Sequence, residues 1–528
     1  MTTFRAGAAA LPLEPPLGLP MVGFIRQRHG ARGYGIPLET SAIVLEHDSV
    51  RVVLCGVDIV GIVTPEVELL IQRVAEATGA APEGVLLNWS HTHLAPTGGR
   101  LDGEIFGEMD DELRSSVEAF ARVIQDKVVS VCRLAVERLE PARIVWGQDD
   151  VDLAVNRRER VEGGSILGWN PDELVDNQLT VLQARRPDES AIATLVGYGC
   201  HPVTTGHDMY VYSADFPGPM RQAIRSLTGG EAVFFQGAGG NVLPRFAFTE
   251  NEDEARRMGI RLAVAAVGSV ADQYATPVEI VTERGGSVNI YSVYRPRQLD
   301  SSEPDLAAVV ETVTIPLLPH PTLTEVSALR QEYEADLDEA RTIGDYGRVK
   351  VAYYHAGWAR RIEAQLREGT APMSVHGPVH AVRIGDGVIV TGPGETFTEY
   401  GISVKIRSPG RPTLYAGYTN GLLGYLPTAN EYQYHGYEAG YGYKSVGLPS
   451  LFDPSVEQIL VESAVRLAER LFPDAEPWVE TGGWTAQGDV PRLETPRLEH
   501  PSRRAAVEVG AADVNGKAKS SRSKGVRP

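Results

Sequence analysis

Apolar positions along the chain follow two periods, and together they predict a protein that mixes strands and helices. Short apolar runs bounded by turn residues predict strands at residues 41–46, 52–58, 85–87, 233–235, 379–384 and 388–391, with two more within 178–200. Apolar residues three or four apart predict helices at residues 65–79, 110–139, 251–272, 323–343, 346–368 and 454–471. Alternation of these elements predicts an α/β or mixed α+β fold, with mixed β-sheets flanked by helices.

The same pattern predicts how the chain is divided. Residues 1–480 are expected to form a single domain, and residues 296–322, rich in proline and polar residues, are expected to be a connector. Residues 481–528 are polar and are predicted to form a C-terminal tail, disordered at least from about residue 516.

Composition narrows the range of partners. The chain has 528 residues, is 43% hydrophobic and carries a formal net charge of −19, so nucleic acid and anionic membrane are not expected partners. The three cysteines lack a CxxC pair, and neither a secretory signal nor a run long enough to span a bilayer is evident. We therefore expect a cytoplasmic protein that binds a small molecule, and we leave a homo-oligomer open.

Two histidines directly follow the predicted strand at residues 85–87. If the chain stays extended there, His91 and His93 point the same way and face one pocket. Glycines at residues 98–99 allow the backbone to approach a ligand closely. A surface or hydrogen-bonding role is the alternative for such a pair.

His201 and Glu395 also stand just beyond predicted strands. Taken alone, His201 fits a hydrogen-bonded core histidine, and Glu395 fits a solvated loop carboxylate. However, loops at strand ends are where a rigid scaffold commonly presents its reactive groups. Both residues are therefore candidates for a site.

Other polar and aromatic residues can be interpreted as structural or as part of a site. Asp58 ends an apolar strand and either caps it or orients a histidine ligand. The run Arg157 to Arg160 predicts a solvated charge run, at least for its last three residues. The tyrosine-rich stretch at residues 430–443 predicts packing or a ligand-facing wall.

Short motifs of the neutral, non-lysosomal ceramidase family resemble segments of this chain in the same order. The matching segments are residues 21–24, 90–99 (Ser-His-Thr-His-Leu-Ala-Pro-Thr-Gly-Gly), 156–157 with 170–171, His201 with 213–218, 240–244, 393–398 and 431–438. The resemblance runs from about residue 5 to residue 470. It implies a ceramidase-like catalytic domain.

Carried over position by position, the resemblance implies one zinc ion per chain. Its ligands fall on His91, His201, Glu395 and Tyr432. Imidazole, carboxylate and phenolate are accepted zinc donors, and a catalytic zinc keeps one position for water.

The resemblance also implies catalytic groups. The family's substrate-facing residues fall on His93 and Arg157. Its second tyrosine, twelve residues beyond the ligand tyrosine, falls on Lys444, so we predict that Tyr443 or Tyr441 takes its place, with Tyr443 as the catalytic choice.

The implied function is a zinc-dependent hydrolase that cleaves an amide (N-acyl) bond through a zinc-activated water. Zinc lowers the pKa of a bound water towards ~7 and polarises a carbonyl. His93, Arg157 and a tyrosine would stabilise the oxyanion or protonate the leaving nitrogen. Asn241, in the turn at residues 240–244, and Tyr441 and Asp58 are further substrate or supporting candidates.

Departures from the family pattern shape the choice of substrate. Leu243 replaces the serine of a Ser-Pro turn, no secretion signal is evident near residue 1, and the polar residues 481–528 are not expected to form the family's immunoglobulin-like domain. We therefore expect a substrate other than ceramide. Three alternatives stay open: an esterase or lactonase acting on a polar metabolite, a non-catalytic ligand-binding relative, and an iron redox protein.

Overall fold

Strands and helices alternate along the residues that the structure, a computed structural model, describes: 3–24, 30–64, 66–99, 109–285, 291–299 and 302–475. The strands are β1 (Arg5–Leu13), β2 (Gly33–Tyr34), β3 (Leu38–His47), β4 (Val50–Val57), β5 (Val85–Trp89), β6 (Glu140–Pro141), β7 (Arg143–Asp150), β8 (Ala154–Val161), β9 (Gly164–Asn170), β10 (Gln178–Arg185), β11 (Ala191–Tyr198), β12 (Val211–Tyr212), β13 (Glu231–Gln236), β14 (Val242–Pro244), β15 (Val278–Gly285), β16 (Tyr291–Gln298), β17 (Leu306–Pro316), β18 (Ser374–Ile384), β19 (Gly387–Thr391), β20 (Glu395–Thr396), β21 (Thr413–Ala416) and β22 (Tyr425–Leu426).

The helices are α1 (Glu66–Thr78), α2 (Asp111–Glu137), α3 (Pro217–Thr228), α4 (Asp253–Ala271), α5 (Leu323–Ile343), α6 (Tyr346–Glu368), α7 (Thr398–Arg407) and α8 (Val456–Leu471). Short 3-10 or π turns lie at Pro82–Gly84, before β5, and at Ala429–Tyr434, Tyr437–Tyr441 and Gly442–Val446, between β22 and α8. Local sequence sets several of these bounds. Helix α5 begins at a capping box formed by Thr322 and Glu325, and α5 and α6 end at Gly344 and Gly369, both with left-handed φ.

Three large sheets form the centre of the fold. Their strand orders are β5-β4-β3-β1-β6, β13-β11-β10-β7 and β17-β18-β19-β21. Side chains from all three, such as Leu54, Leu195 and Ile389, pack together in one buried core. The other face of each sheet is covered by two helices: α1 and α2 on the first, α3 and α4 on the second, and α7 and α8 on the third.

Each large sheet contains one parallel pair, and the carboxyl ends of these pairs carry the site. The pairs are β4/β5, β11/β13 and β19/β21. Asn88, fully buried near the end of β5, joins them: its amide nitrogen donates to the carbonyl of Gly417 (2.7 Å), and its oxygen accepts from the backbone nitrogen of Gln236 (2.7 Å). The ends of β5, β13 and β21 therefore meet at one junction. The loops after β11 and β19 start beside it, because Tyr198 pairs with Gln236 and Thr391 with Ala416.

The predicted fold class is confirmed, because mixed sheets flanked by helices are what the structure contains. The predicted connector at residues 296–322 is wrong in its central part. Strand β17 lies there and pairs antiparallel with β18 over eleven positions. Its prolines, at position 304 and at Pro316, stand before it and at its last residue, so they do not interrupt the ladder.

Two further expectations concern regions or properties beyond the sheets. In the described part of the chain, no helix has the length and apolarity to cross a membrane. Residues 476–528 lie outside the described residues. They include the last five residues of the predicted domain and the whole predicted polar tail. The division at residue 480 therefore stays a prediction.

Candidate metal and substrate site

Main-chain contacts hold His91 two residues beyond β5. Its backbone nitrogen donates to the carbonyl of Ile59 (3.0 Å), and its Nδ1 lies 2.8 Å from the carbonyl of Val60. Both carbonyls belong to the segment that follows β4, the parallel neighbour of β5. Since Nδ1 donates to a carbonyl, the lone pair available to a metal is on Nε2.

The backbone at His91 is not extended, which corrects the assumption behind the His-Thr-His prediction. His91 has a left-handed φ of 66°. His93 nevertheless reaches the same place, because the chain turns there and its ring centroid lies 5.2 Å from that of His91.

His201, three residues beyond β11, is held in the same way. Its backbone nitrogen donates to the carbonyl of Val242 (3.1 Å), and its Nδ1 lies 2.6 Å from the carbonyl of Gly239, in the segment after β13. The side chain is fully buried. Burial, with a contribution from the charge of Arg157, lowers the pKa of His201 to about 4, which keeps the imidazole neutral as a metal ligand requires.

His93 lacks such a main-chain anchor. Its Nδ1 is buried and has no hydrogen-bond partner among the described residues, and its ring meets the ring of Phe24 edge-on at 4.9 Å. Gly23 makes this approach feasible, because a Cβ there would come within 2.4 Å of the His93 ring. Burial, followed by the neighbouring imidazoles, lowers the pKa of His93 well below its usual range.

Glu395 completes the group from the third sheet. It opens β20, and its Oε2 lies 3.3 Å from Nε2 of both His91 and His201. Burial by itself raises the pKa of Glu395, but the two imidazoles lower it by more than burial raises it, so the net shift is downwards. The carboxylate is therefore ionised.

This donor set fits a zinc ion. One ligand atom from each of His91, His93 and His201 lies within 4.8 Å of the others. Nε2 of His201 and Oε2 of Glu395 are buried but make no well-formed hydrogen bond to any described residue. Buried polar atoms that lack partners indicate a missing binding partner, and imidazole with carboxylate is a common zinc donor set.

Tyr432, the predicted fourth ligand, is directed elsewhere. It is buried near Asp453 and Glu457, whose charges add to burial in raising its pKa. The tyrosine rings that contact the site imidazoles in the described structure are those of Tyr418 and Tyr425. The structure therefore does not bring Tyr432 to the imidazoles. Its segment is a 3-10 turn in which the neighbouring Glu431 pairs with Arg158.

The predicted catalytic tyrosines are also outside the centre. Tyr443 packs edge-on against Trp358 of α6, with ring centroids 6.0 Å apart. Tyr441 is half exposed, and its ring lies 5.3 Å from that of Tyr437. Neither residue contacts a histidine of the site in the described structure.

Two other tyrosines face the site instead. Strands β20 and β22 are parallel, and their register pairs Glu395 with Tyr425. The Tyr425 ring is stacked on that of His201, with centroids 6.4 Å apart. The ring centroid of Tyr437 lies 5.2 Å from that of Tyr425. Burial, then the charge of Glu395, raises the pKa of both phenols, so both stay protonated.

The signal that could have identified this pair was in the sequence. The family spacing of twelve residues between two tyrosines is met by Tyr425 and Tyr437, not by any pair that starts at Tyr432. The Glu-Tyr-Gln match placed the site tyrosine at Tyr432, seven residues beyond Tyr425.

The arginine run is a buried ionic cluster rather than the predicted solvated run. Arg157 and Arg158 are 4% and 1% exposed, and only Arg160 reaches towards solvent. Arg157 donates through Nε to Glu438 (2.7 Å), and its Nη2 has no hydrogen-bond partner among the described residues. Its guanidinium lies 5.3 Å from the ring centre of Tyr425.

Asp58 and Asn241 have structural contacts. The Asp58 carboxylate binds Arg221 through both oxygens, at 3.1 and 2.5 Å, so it does not orient a site histidine; carbonyl groups do that. The side-chain Oδ1 of Asn241 accepts from the backbone nitrogen of Thr398 at the start of α7 (2.8 Å). The backbone carbonyl of Asn241 accepts from the backbone nitrogen of Arg157 (2.8 Å). Asn241 thus supports the backbone beside the site.

Tyr418 is a site residue that the sequence analysis missed. Its ring lies 4.6 Å from that of His91, and its hydroxyl is buried without a hydrogen-bond partner among the described residues. Its φ of 51° is unusual for a bulky side chain, and such strain is concentrated at functional sites. Its backbone binds both Gly394 and Trp89, so it joins the loops that carry Glu395 and His91.

Comparison with known proteins finds the same architecture in solved structures. A ceramidase complexed with C2 is 17% identical with a TM-score of 0.62, and the match covers 93% of this chain and 78% of that one. The neutral ceramidase from Pseudomonas aeruginosa is 19% identical with a TM-score of 0.61, and the match covers 89% of this chain and 75% of that one. No family model and no curated protein matches the sequence.

The fold and the site together define a mixed α/β protein with a buried centre of histidines and a carboxylate. Its fold is ceramidase-like. The resemblance drawn from the short motifs is confirmed at the level of the fold.

Proposed function

We propose that this chain is a zinc-dependent hydrolase that cleaves the amide bond of a small N-acyl compound. The observation that carries the proposal is the convergence of His91, His201 and Glu395 opposite Arg157 and Tyr425, in a ceramidase-like fold. One side of this centre suits a cation, and the other presents donors to a carbonyl.

Nε2 of His91, Nε2 of His201 and the carboxylate of Glu395 would hold the zinc. Both imidazoles have their Nδ1 atoms bound to carbonyls, which is the usual arrangement behind a histidine ligand. When bound, zinc supplies a Lewis acid for the substrate carbonyl and an activated water as nucleophile.

Arg157 and Tyr425 act on the substrate carbonyl in this proposal. The Nη2 of Arg157 is buried without a partner among the described residues, so it is available to donate to the oxygen as that oxygen gains negative charge. The raised pKa of Tyr425 keeps its phenol protonated and able to donate as well.

His93 carries the proton. Because its Nδ1 is not engaged with a carbonyl, this imidazole is not oriented like the two ligands. Its lowered pKa leaves it neutral, so a ring nitrogen has a lone pair free to accept the proton of the attacking water. The same shift favours release of that proton, which would pass to the leaving nitrogen.

The test measures metal content and turnover together. Protein purified without added metal is analysed for zinc and iron, and assayed on a panel of N-acyl p-nitroanilides, p-nitrophenyl esters and lactones, with and without chelator. We expect about one zinc per chain, as the donor set implies, and hydrolysis of an amide that chelator abolishes. His91→Ala should lose both zinc and turnover.

The matched control is His376→Ala, which changes an exposed histidine on β18. It should retain full zinc and full turnover. A His91→Ala protein that keeps both would contradict the proposal, as would a wild-type protein without activity on any member of the panel.

Ester or lactone hydrolysis of a polar metabolite is the second candidate. The rings of Tyr425, Tyr437 and Tyr441 form a line from the centre to the surface, where Tyr441 is half exposed. A lining of phenols favours a polar ligand over a long acyl chain. Hydrolysis of the lactones or esters but not the anilides would favour this candidate. The cytoplasmic location stays a prediction.

A further inference from the structure

A carboxylate that is completely buried stands directly behind Arg157. The side chain of Glu438 is 0% exposed; Oε1 accepts from Nε of Arg157 at 2.7 Å, and Oε2 accepts from Nη1 of Arg158 at 2.6 Å. A buried charge is stable only when it is paired and hydrogen-bonded, and here two guanidinium groups satisfy both oxygens.

The same carboxylate connects two distant parts of the chain. Arg157 and Arg158 lie on β8, while Glu438 follows Tyr437 in the short turn Tyr437–Tyr441. Arg158 strengthens this connection, because it also donates to Glu431 (2.9 Å) and to the carbonyl of His435 (2.6 Å). The tyrosine segment and β8 are thereby fixed to each other at several points.

The contact determines where the remaining donors of Arg157 point. A guanidinium is planar and its donors have fixed directions, so an acceptor at Nε fixes the direction of both Nη atoms. With Nε held by Glu438, the group lies 5.3 Å from the ring centre of Tyr425, and Nη2 is left without a partner among the described residues.

We propose that Glu438 is a positioning residue that acts through Arg157, holding Nη2 in the direction of the reacting carbonyl. The inference rests on the proposed hydrolytic function of the site. Glu438 itself does not touch the substrate in this account. It sets the geometry of the residue that does, and electrostatic stabilisation of a developing oxyanion depends on such geometry.

The main test is a double-mutant cycle with the best p-nitroanilide or p-nitrophenyl ester of the panel. Glu438→Gln keeps the size of the side chain but removes its charge and weakens the contact with Nε. We expect kcat to fall by about 10²-fold, the usual loss when one oxyanion donor is removed, while KM changes little and zinc content stays the same. In an Arg157→Lys background the same change should have almost no further effect.

A purely structural role would give a different pattern. Glu438→Gln would then lower the melting temperature, and its effect on kcat would be the same with or without Arg157→Lys. Unchanged kcat in a folded Glu438→Gln protein, or independent effects of the two substitutions, would overturn the inference. Lack of any turnover by the wild-type protein would instead contradict the proposed function.

A second variant covers the case in which Glu438→Gln does not fold. Glu438→Asp keeps the charge between the two arginines but draws the carboxylate back by one methylene. We expect it to fold and to show a lowered kcat, and wild-type kcat in this variant would overturn the inference. The matched control is Glu173→Gln, which removes the outer, partly exposed ion pair with Arg160 and should leave kcat unchanged.

Discussion

The two halves of the site are built differently, although they face the same small space. His91 and His201 are held by main-chain groups, the carbonyls of Val60 and Gly239. Arg157, on the opposite side, is held by a side chain, Glu438, which is 281 positions away in the chain. We call the first the histidine half and the second, Arg157 and Arg158 with Tyr425, Tyr437 and Glu438, the arginine–tyrosine wall.

This difference teaches where each half is vulnerable. The carbonyls that orient the histidines come from segments after β4 and β13, so any sequence that keeps the parallel pairs keeps these acceptors. The arginine–tyrosine wall depends on particular charged side chains in a buried environment. Removal of one partner there leaves another charge without compensation, which is far more costly than loss of an exposed pair.

The largest effect is expected from the histidine half. His201→Ala removes an imidazole that is fully buried and whose Nε2 lies 3.3 Å from Oε2 of Glu395. We expect zinc and turnover to fall to background together, measured by elemental analysis and by the panel assay. Retention of bound zinc by this variant would show that the ligand set is assigned wrongly.

The next effect separates two tyrosines that are seven residues apart. Tyr425→Phe removes a phenol stacked on His201 and should lower kcat by about 10²–10³-fold, the usual loss of one oxyanion donor. Tyr432→Phe, a matched change at a buried tyrosine near Asp453 and Glu457, should leave kcat nearly unchanged. The reverse outcome would restore Tyr432 as the site tyrosine.

A third effect measures the stability that the arginine–tyrosine wall depends on. Arg158→Ala takes away the group that pairs with both Glu431 and Glu438, and should lower the free energy of unfolding by about 3–5 kcal/mol. Arg133→Ala, which breaks an exposed ion pair with Glu137 on α2, should change it by less than about 1 kcal/mol. Urea denaturation of the two variants compares them, and equal losses would contradict the view that the arginine–tyrosine wall depends on its buried ion pairs.

The smallest effect is a pH dependence of stability that arises from Lys444, which follows the tyrosine segment of the arginine–tyrosine wall. Burial lowers the pKa of Lys444 to about 8, with Glu332 opposing the shift, and its ammonium faces Tyr333 of α5 and lies near His355 of α6. The usual lysine pKa is about 10.4, so between these values the unfolded chain binds more protons than the folded one. Stability therefore gains a contribution that rises from about pH 8 towards 10.4.

This contribution is seen by difference. Lys444→Met should be more stable than the wild type at pH 7 and should lack the rise, whose slope is at most about 1.4 kcal/mol per pH unit for one proton. Lys127→Met on α2 serves as the control and should leave the pH profile of the wild type unchanged. Parallel profiles for the wild type and Lys444→Met would contradict the prediction.

Most of the regular structure could be predicted from local pattern. The helices α1, α2, α4, α5, α6 and α8 and the strands around His91, His201 and Glu395 follow apolar periodicities that are visible in the sequence. Strand β17 was missed because flanking prolines and alternating polar residues resemble a connector. Its pairing with β18 supplies the order that the local pattern lacks.

The sequence by itself determined the chemistry that is available and the strand ends that carry it. The ends of predicted strands made His91, His93, His201 and Glu395 candidates, and the resemblance to the ceramidase motifs assigned their roles. The tertiary structure alone decided which tyrosine faces them. That choice depends on the two-residue strands β20 and β22, too short to leave a period in the sequence.

Burial of the arginine run was likewise decided only in three dimensions. Arg157 to Arg160 has the composition of a solvated run, and the nearby Glu173 pairs only with its outermost arginine, Arg160. Glu431 and Glu438 compensate the charge of the buried arginines from nearly three hundred residues away. A pairwise interaction over that distance depends on how the sheets pack, which local composition does not encode.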